Sequence, residues 1–365
     1  MSILNTEKLT VGYGRKVIVG DVTFSVNRGE ILTLIGANGS GKSTVLKSIL
    51  MQLKKISGEI YIENKDIEKL RLPELAKKVS AVMTERIAPE LMTCREVVES
   101  GRYPYTNGLG ILSATDREKV SEAMELVGVG NLAFNPFSQI SDGQRQRVML
   151  ARAICQDTEI IILDEPTSFL DIRHKMELLN TLRKLVREKN LAVIMSLHEL
   201  DLARKISDRI MCINNGISER IGTPEEIFSG RYIADMYGLD GDSFDYTFCT
   251  AELEKTAGNP EIFVIAGGNP EIYRHLQRKN IPFAVGVIHE NTIEYPVAKA
   301  LATEIITEKP FEPVSEKSVE KALEIMKKCR SVVNNCKRFG TMNGKNAILL
   351  EQAEKLGILR NQADF

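Results

Sequence analysis

Residues 31–44 read ILTLIGANGSGKST, and this stretch decides the fold. An apolar run, Ile31–Ile35, leads directly into a complete G-x-x-x-x-G-K-S motif, and a helical pattern begins at Lys42. Because glycines let successive N–H groups turn inward at a helix start, the segment predicts a nest for phosphates. Lys42 is expected to reach the β- and γ-phosphates, and the Ser43 hydroxyl to bind Mg²⁺. The predicted phosphate-binding set is Gly36, Ala37, Asn38, Gly39, Ser40, Gly41, Lys42, Ser43 and Thr44.

Two more apolar runs end in residues that can do chemistry. Ile160–Leu163 is followed by Asp164 and Glu165, and Leu191–Met195 is followed three residues later by His198. Buried strands alternating with helices predict an α/β domain with a largely parallel sheet, whose ligands lie at the carboxyl ends of the strands. Asp164 can hold Mg²⁺, and Glu165 is placed to polarise an attacking water as general base.

A second anion site is predicted at Ile140–Gln144, which reads ISDGQ. Ser141 and the Gly143 amide lie at the start of a helix, where anions are stabilised. With this segment, residues 1 to about 240 resemble the nucleotide-binding subunit of an ATP-binding-cassette (ABC) transporter. The resemblance implies an ATP-hydrolysing enzyme that uses ATP and Mg²⁺. It also implies a homodimer, in which Ser141 and Gly143 of each chain cap the γ-phosphate of ATP held by the other.

The resemblance assigns roles to further positions. Tyr13 matches the aromatic residue that stacks on adenine, and His198 matches the histidine that contacts the γ-phosphate and the water. Ser168–Asp171 resembles the loop that touches the partner chain. The catalytic residues expected on this basis are Glu165 and His198, and the metal ligands are Ser43 and Asp164.

Two positions depart from the family pattern. The family normally has glutamine at the strand end near residue 84, and here Thr84 aligns best, so its hydroxyl or Glu85 is expected to take that role. Asp142 stands where many signatures have glycine. Since a carboxylate near a γ-phosphate is unfavourable, we expect Asp142 to cap its helix or to face solvent.

A short loop indicates the branch of the family. Gly101–Tyr105 reads GRYPY and is similar to a segment in the ATPases of importers for iron–siderophore complexes, haem and cobalamin. The region around residues 86–106 is then expected to receive the membrane subunit. The implied partners are integral membrane permease subunits and, indirectly, an extracytoplasmic substrate-binding protein. The implied location is peripheral, on the cytoplasmic face of the cell membrane. The alternative is a soluble ABC-type regulator that is not coupled to transport.

Composition limits the other classes of function. The chain has 365 residues, 43% of them hydrophobic and 27% charged, which is typical of a soluble globular protein. The formal net charge is -1, with 6% aromatic residues and no Trp, so nucleic acid is not expected as a partner. Six isolated cysteines suit a reducing compartment as buried or incidental thiols. We identify no signal peptide and no run long enough for a membrane helix.

The sequence predicts two folded regions. Residues 1–240 form the P-loop ABC-type ATPase domain, with a helical subdomain at about 86–153. A linker covers 241–260. Residues 261–365 alternate strands and helices again and predict a smaller α/β, Rossmann-like domain.

The role of this second domain is left open. A strand ends at Ala266, and the following Gly267–Pro270 begins a helix, with Asn269 as the expected N-cap. Glu290, after the next strand, lies where an acidic residue could hold a ribose. G-x-G-x-x-G is absent, so a dimerisation or regulatory lobe is preferred over nucleotide binding. A site for the transported ligand that inhibits uptake is the third hypothesis.

Overall fold

The computed structural model describes residues 2–84, 89, 91–106, 110–239, 244–245 and 249–361. The chain divides into two compact units, Met1–Tyr237 and Gly238–Phe365. Each unit is built on its own sheet.

The first unit contains a ten-stranded sheet in the order β5-β4-β1-β2-β10-β9-β3-β8-β7-β6. Five neighbours, β9, β3, β8, β7 and β6, run parallel, as the apolar runs predicted. The strands are β1 Ser2–Tyr13, β2 Lys16–Asn27, β3 Ile31–Ile35, β4 Ser57–Ile62, β5 Lys65–Asp66, β6 Val79–Val82, β7 Ile160–Asp164, β8 Ala192–Ser196, β9 Arg209–Asn214 and β10 Ile217–Gly222.

The parallel strands form because their sequences suit complete burial. Every residue of β3, β7 and β8 is buried. Strands covered on both faces read as continuous Val, Ile and Leu runs, which is what these three segments contain. Their parallel direction brings their carboxyl ends to one edge of the sheet, and the predicted chemical residues follow those ends.

The antiparallel strands β1, β2, β4 and β5 extend the sheet beyond what the sequence predicted. β1 pairs with both β2 and β4, and its register shifts at several points. Its burial therefore does not alternate regularly, which explains why no clear period of two marks it in the sequence.

Nine α-helices and four short 3-10 helices complete the described part of the first unit. Helix α1 begins at Lys42, as predicted, and ends at Ile49 with Leu50 as its C-cap. Helix α6 begins at Ile172 because the Asp171 carboxylate accepts the His174 amide hydrogen bond. The helices are α1 Lys42–Ile49, α2 Leu72–Ala76, α3 Cys94–Glu99, α4 Ala114–Leu126, α5 Asp142–Cys155, α6 Ile172–Lys189, α7 Leu200–Ile206, α8 Pro224–Ile227 and α9 Tyr232–Tyr237.

The second unit is a doubly wound α/β domain. Its five-stranded sheet has the order β15-β14-β13-β16-β17, and every pair is parallel, which confirms the predicted smaller Rossmann-like domain. A short hairpin of β11 and β12 precedes it. The elements are β11 Phe244–Asp245, β12 Thr250–Ala251, β13 Ile262–Ile265, α10 Glu271–Arg278, β14 Phe283–His289, α11 Tyr295–Leu301, β15 Glu304–Glu308, α12 Glu316–Met326, β16 Ser331–Asn334, α13 Asn346–Lys355 and β17 Leu359–Arg360.

Two apolar clusters lie on the two faces of this second sheet. One contains Tyr273 and Leu276 of α10 together with Leu301 of α11. The other contains Met326 of α12 and Leu349 of α13. Helices therefore cover both faces, as a fully buried parallel sheet requires.

Two further features of the described residues concern helix length and the cysteines. No helix in the described ranges combines the length and the apolar character that crossing a bilayer requires. All six cysteines are outside disulfides, and five are buried. Burial raises the pKa of the Cys155 thiol to about 12.

Candidate functional site

The phosphate-binding motif forms the turn between β3 and α1. Gly36 and Gly41 have φ angles of 154° and 105°, a region that favours glycine. A Cβ on Gly36 would lie 2.2 Å from the Ile213 carbonyl oxygen, and one on Gly41 would lie 2.2 Å from a Val19 methyl group. Glycine is therefore required at both positions, because the loop passes tightly over β9 and β2.

Lys42 lies across this loop with little access to solvent. Its side chain is 4% exposed, and the Nζ atom donates to the Gly36 carbonyl at 2.8 Å and to the Ala37 carbonyl at 3.1 Å. Burial lowers the pKa of Lys42, and the nearby Glu165 and Asp164 carboxylates oppose that change. The amine is thus held where a phosphate could replace the carbonyl oxygens as its partner.

Asp164, at the end of β7, accepts hydrogen bonds from three hydroxyl groups. Its Oδ1 accepts from Ser43 Oγ at 3.0 Å and from Ser196 Oγ at 2.7 Å. Its Oδ2 accepts from Thr84 Oγ1 at 2.5 Å. These donors join three strand ends and the start of α1 at one carboxylate that is 1% exposed.

This oxygen-only set fits a magnesium site. Mg²⁺ is usually held by one or two carboxylates together with phosphate oxygens and water, and Ser43 and Asp164 supply the protein side of such a site. Within the described ranges, no group of three His, Cys, Asp or Glu residues could hold a metal ion by itself. A metal here would therefore depend on the phosphates of a bound nucleotide.

Glu165 and His198 meet at the same edge of the sheet. His198 Nε2 lies 2.5 Å from Glu165 Oε1, and Ser168 Oγ donates to Glu165 Oε2 at 3.2 Å. The Glu165 amide donates to Ser196 Oγ at 2.9 Å. The two predicted catalytic residues are thus in contact. They line a cleft of about 420 Å³ with Asn38, Gly39, Gly41, Lys42, Ser43 and Thr44.

Sequence reasoning gave no role to Ser196 and Glu199, which organise this edge. Ser196 joins Asp164 to the Glu165 amide. Glu199 accepts from Thr167 Oγ1 at 2.9 Å and from Lys175 Nζ at 2.6 Å, so the residue after His198 is tied to α6 and to the loop before it. Their positions at and just after the end of β8 could have identified them, since polar side chains at that edge of the sheet face the same site.

Ser141 and Gly143 lie in a different cleft, of about 470 Å³, together with Phe169 and His174. Ser141 caps α5 by accepting the Gln144 amide hydrogen bond at 3.3 Å, while Gln144 Oε1 accepts from the Ser141 amide at 2.9 Å. Phe169 is 67% exposed beside them. Within one chain the predicted phosphate-loop residues and the Ser141–Gly143 pair therefore line two separate clefts.

The two unusual positions have distinct surroundings. Asp142 is exposed at the first position of α5, its Oδ1 accepts from Arg145 Nη1 at 3.1 Å, and it lines the same cleft as Ser141 and Gly143. Thr84 contacts Asp164, whereas Glu85 lies outside the described residues.

Tyr13 ends β1 and is 54% exposed. It lines a cleft of about 760 Å³ together with Lys47, Leu53 and Met149, among others, rather than the cleft that holds Lys42. Its contact with adenine remains a prediction.

The Gly101–Tyr105 segment packs against its neighbours. Arg102 is 4% exposed, and it donates from Nε to Asp116 Oδ1 at 2.8 Å and from Nη1 to the Cys155 carbonyl at 2.8 Å. Hydrogen bonds from Ser113, with the Arg102 guanidinium, lower the pKa of Asp116 to about 2. Arg102 thereby joins the end of α3 to α4 and α5.

In the second unit, the glycine loop after β13 is already bound to a side chain. Glu294 accepts from the Gly267 amide at 2.7 Å, from the Gly268 amide at 3.4 Å and from the Tyr273 hydroxyl at 2.7 Å. Burial raises the pKa of this carboxyl group. The helix begins after Pro270 rather than Asn269, although Asn269 Oδ1 does accept the Glu271 amide hydrogen bond.

Comparison with known families gives two matches. A model described as ABC transporter matches residues 19–168, and a model described as the MJ0874 family matches residues 283–364. An ABC transporter ATP-binding protein of Methanocaldococcus jannaschii is 41% identical over 287 residues, which is 78% of this chain and 99% of that relative. The iron(3+)-hydroxamate import ATP-binding protein FhuC of Bacillus subtilis is 36% identical over 242 residues, covering 66% and 90% of the two chains.

Solved structures resemble the first unit. A metal-chelate type ABC transporter in an inward-facing conformation is 25% identical, with a TM-score of 0.58, over 66% of this chain and 90% of that one. The dimeric ATP-binding cassette MJ0796, bound to ADP and Pi, is 28% identical, with a TM-score of 0.55, over 60% of this chain and 98% of that one.

Proposed function

The chain belongs to the ABC transporter family of ATPases, and from this premise we propose that it powers the import of an iron chelate through partner membrane subunits. Its role as an ATP-binding, ATP-hydrolysing transporter subunit follows from the family. The importer class is supported by the similarity to FhuC and to the metal-chelate type transporter. The Gly101–Tyr105 resemblance extends the candidate cargo to haem and cobalamin.

The single observation that carries the mechanism is that the phosphate loop and the Ser141–Gly143 pair line separate clefts of one chain. Asn38, Gly39 and residues 41–44 line one cleft, and Ser141 with Gly143 lines the other. We propose that two copies pair head to tail, so that Ser141 and Gly143 of one chain meet the γ-phosphate held by the other. ATP then joins the copies, and closure moves the membrane subunits between inward-facing and outward-facing states.

Each residue of the first cleft has a proposed task. The loop amides and Lys42 bind the phosphates, while Ser43 and Asp164 would hold Mg²⁺, whose charge favours phosphoryl transfer when it is bound. Glu165 polarises the attacking water, and His198, at 2.5 Å from it, orients that carboxylate and contacts the γ-phosphate. Tyr13 is proposed to stack on adenine once nucleotide is bound.

The proposed setting is the cytoplasmic face of the membrane, where the chain would attach to integral permease subunits. An extracytoplasmic binding protein would be an indirect partner. Purification from detergent extracts tests this setting: an importer ATPase should arrive with a membrane core, whereas a soluble regulator should arrive without one. With that core reconstituted, ATP hydrolysis should rise with a ferric hydroxamate, haem or cobalamin, and the one that stimulates identifies the cargo.

Glu165→Gln tests the catalytic assignment. Because the amide cannot accept a proton from water, we expect ATP hydrolysis to fall by about 10²–10⁴-fold while ATP binding persists. Size-exclusion chromatography with light scattering should then show a stable ATP-bound dimer.

Glu177→Gln, on the exposed face of α6, is the matched control and should hydrolyse ATP at the parent rate. Adding Ser141→Arg to Glu165→Gln should abolish the dimer and leave ATP bound to single chains. Hydrolysis by Glu165→Gln at the parent rate would show that another residue is the base.

A further inference from the structure

Thr84 donates a hydrogen bond to Oδ2 of Asp164, the carboxylate of the proposed metal site. The residue lies two positions beyond the end of β6, and β6 pairs in parallel with β7 with Val82 opposite Leu163. This register brings Thr84 beside Asp164, and its hydroxyl donates to Asp164 Oδ2 at 2.5 Å. The contact follows from strand pairing, so it is built into the sheet.

The hydrogen bonds to Asp164 determine which lone pairs of its carboxylate are still available to a cation. A carboxylate offers about four lone-pair directions, two on each oxygen. Ser43 and Ser196 both donate to Oδ1, whereas Thr84 is the one described donor to Oδ2. A cation, or a water bound to it, therefore meets Asp164 through Oδ2 beside Thr84.

Thr84 is not required for packing. It is exposed, whereas Asp164 is 1% exposed, so the hydroxyl covers a buried carboxylate from the open side of the site. Each hydroxyl has a single proton, and that of Thr84 is donated to Asp164. The lone pairs of its oxygen are then left for the site.

We propose that Thr84 is a positioning residue for the magnesium site, orienting Asp164 through the Oδ2 hydrogen bond. This inference rests on the proposed function. Loss of the hydroxyl frees one side of the carboxylate to rotate, which weakens its hold on a divalent ion. Groups that orient metal ligands typically change metal affinity by about 10–100-fold when they are removed.

The test measures metal affinity rather than turnover. In the full-length Glu165→Gln chain with saturating ATP, Mn²⁺ is titrated and free Mn²⁺ is followed by electron paramagnetic resonance. Thr84→Val should raise the Mn²⁺ dissociation constant by about tenfold. Thr84→Ser keeps the hydroxyl and should stay within about twofold of the parent. ATP binding in EDTA, measured with a fluorescent ATP analogue, should be the same in all variants.

Ser80→Ala is the matched control, since Ser80 is a buried hydroxyl on β6 that accepts from Thr158 rather than donating to Asp164. Its Mn²⁺ affinity should equal the parent value. Equal affinity in Thr84→Val and the parent would overturn the inference, and so would equal losses in Thr84→Val and Thr84→Ser. A Glu165→Gln chain that binds no ATP at all would instead refute the proposed function.

Discussion

At the scale of single residues, Arg102 and Asp116 form a buried ion pair. Both side chains are less than a tenth exposed, and the guanidinium also binds the Cys155 carbonyl and lies 4.0 Å over the Tyr105 ring. Removing one partner of a buried pair leaves an uncompensated charge. The Gly101–Tyr105 segment, which suggested an importer, therefore also has a structural role. That role explains the presence of Arg102 for any cargo.

Arg102→Ala should lower the free energy of unfolding by about 3–5 kcal/mol, because Asp116 is left buried without its cation. Urea denaturation followed by circular dichroism measures the loss. Arg173→Ala removes an arginine from the exposed Arg173–Glu177 pair and should change nothing measurable. Equal effects of the two substitutions would contradict the importance given to burial.

At the scale of elements, a side chain of the second unit fills the loop that follows β13, beside its paired neighbour β16. The strand order of this unit reverses at these two strands, a place where doubly wound sheets commonly bind ligands. Here the Glu294 carboxylate accepts hydrogen bonds from the amides of Gly267 and Gly268. A Cβ on Gly268 would lie 1.9 Å from the Asn335 carbonyl oxygen. The Glu294 side chain thus takes the position that a phosphate would take in a nucleotide-binding domain.

Gly268→Ala should therefore destabilise this edge, since overpacking typically costs about 1–3 kcal/mol. Hydrogen exchange read by mass spectrometry should show faster exchange in the peptides of β13 and β16. Gly340→Ala is the control, because its Cβ would meet nothing closer than Asn343 Oδ1 at 3.7 Å. Unchanged exchange in Gly268→Ala would mean that the loop can move apart without cost.

The sequence predicted those elements that carry their own local signal. The run into Gly36–Lys42 and the strand ends at Asp164 and His198 are each marked by adjacent residues, so their places in the fold were readable. Asp116 and Glu294 were missed because their partners lie 14 and 27 positions away along the chain. Such contacts form only when the elements pack together, so no local sequence pattern predicts them.

At the scale of the whole molecule, the two units have separate apolar cores. Units with their own cores can unfold separately. The residues proposed to bind ATP all belong to the first unit.

Calorimetry of the Glu165→Gln chain should consequently resolve two transitions. Ligand at 100 times its dissociation constant adds about 2.7 kcal/mol, so Mg²⁺ and ATP should raise the midpoint of the first unit by roughly 5–10 °C. The second midpoint should stay in place, and a Lys42→Ala change should remove the shift. Equal shifts of both midpoints would show that the units unfold together.

One polypeptide carries both units, and this continuity fixes their stoichiometry. A cell that makes the ATPase necessarily makes an equal number of the smaller domains, with no separate gene dosage to balance. In the proposed head-to-tail pair, two such domains accompany every two nucleotides. Covalent tethering also keeps each one at a high local concentration near its ATPase, even when the protein as a whole is scarce.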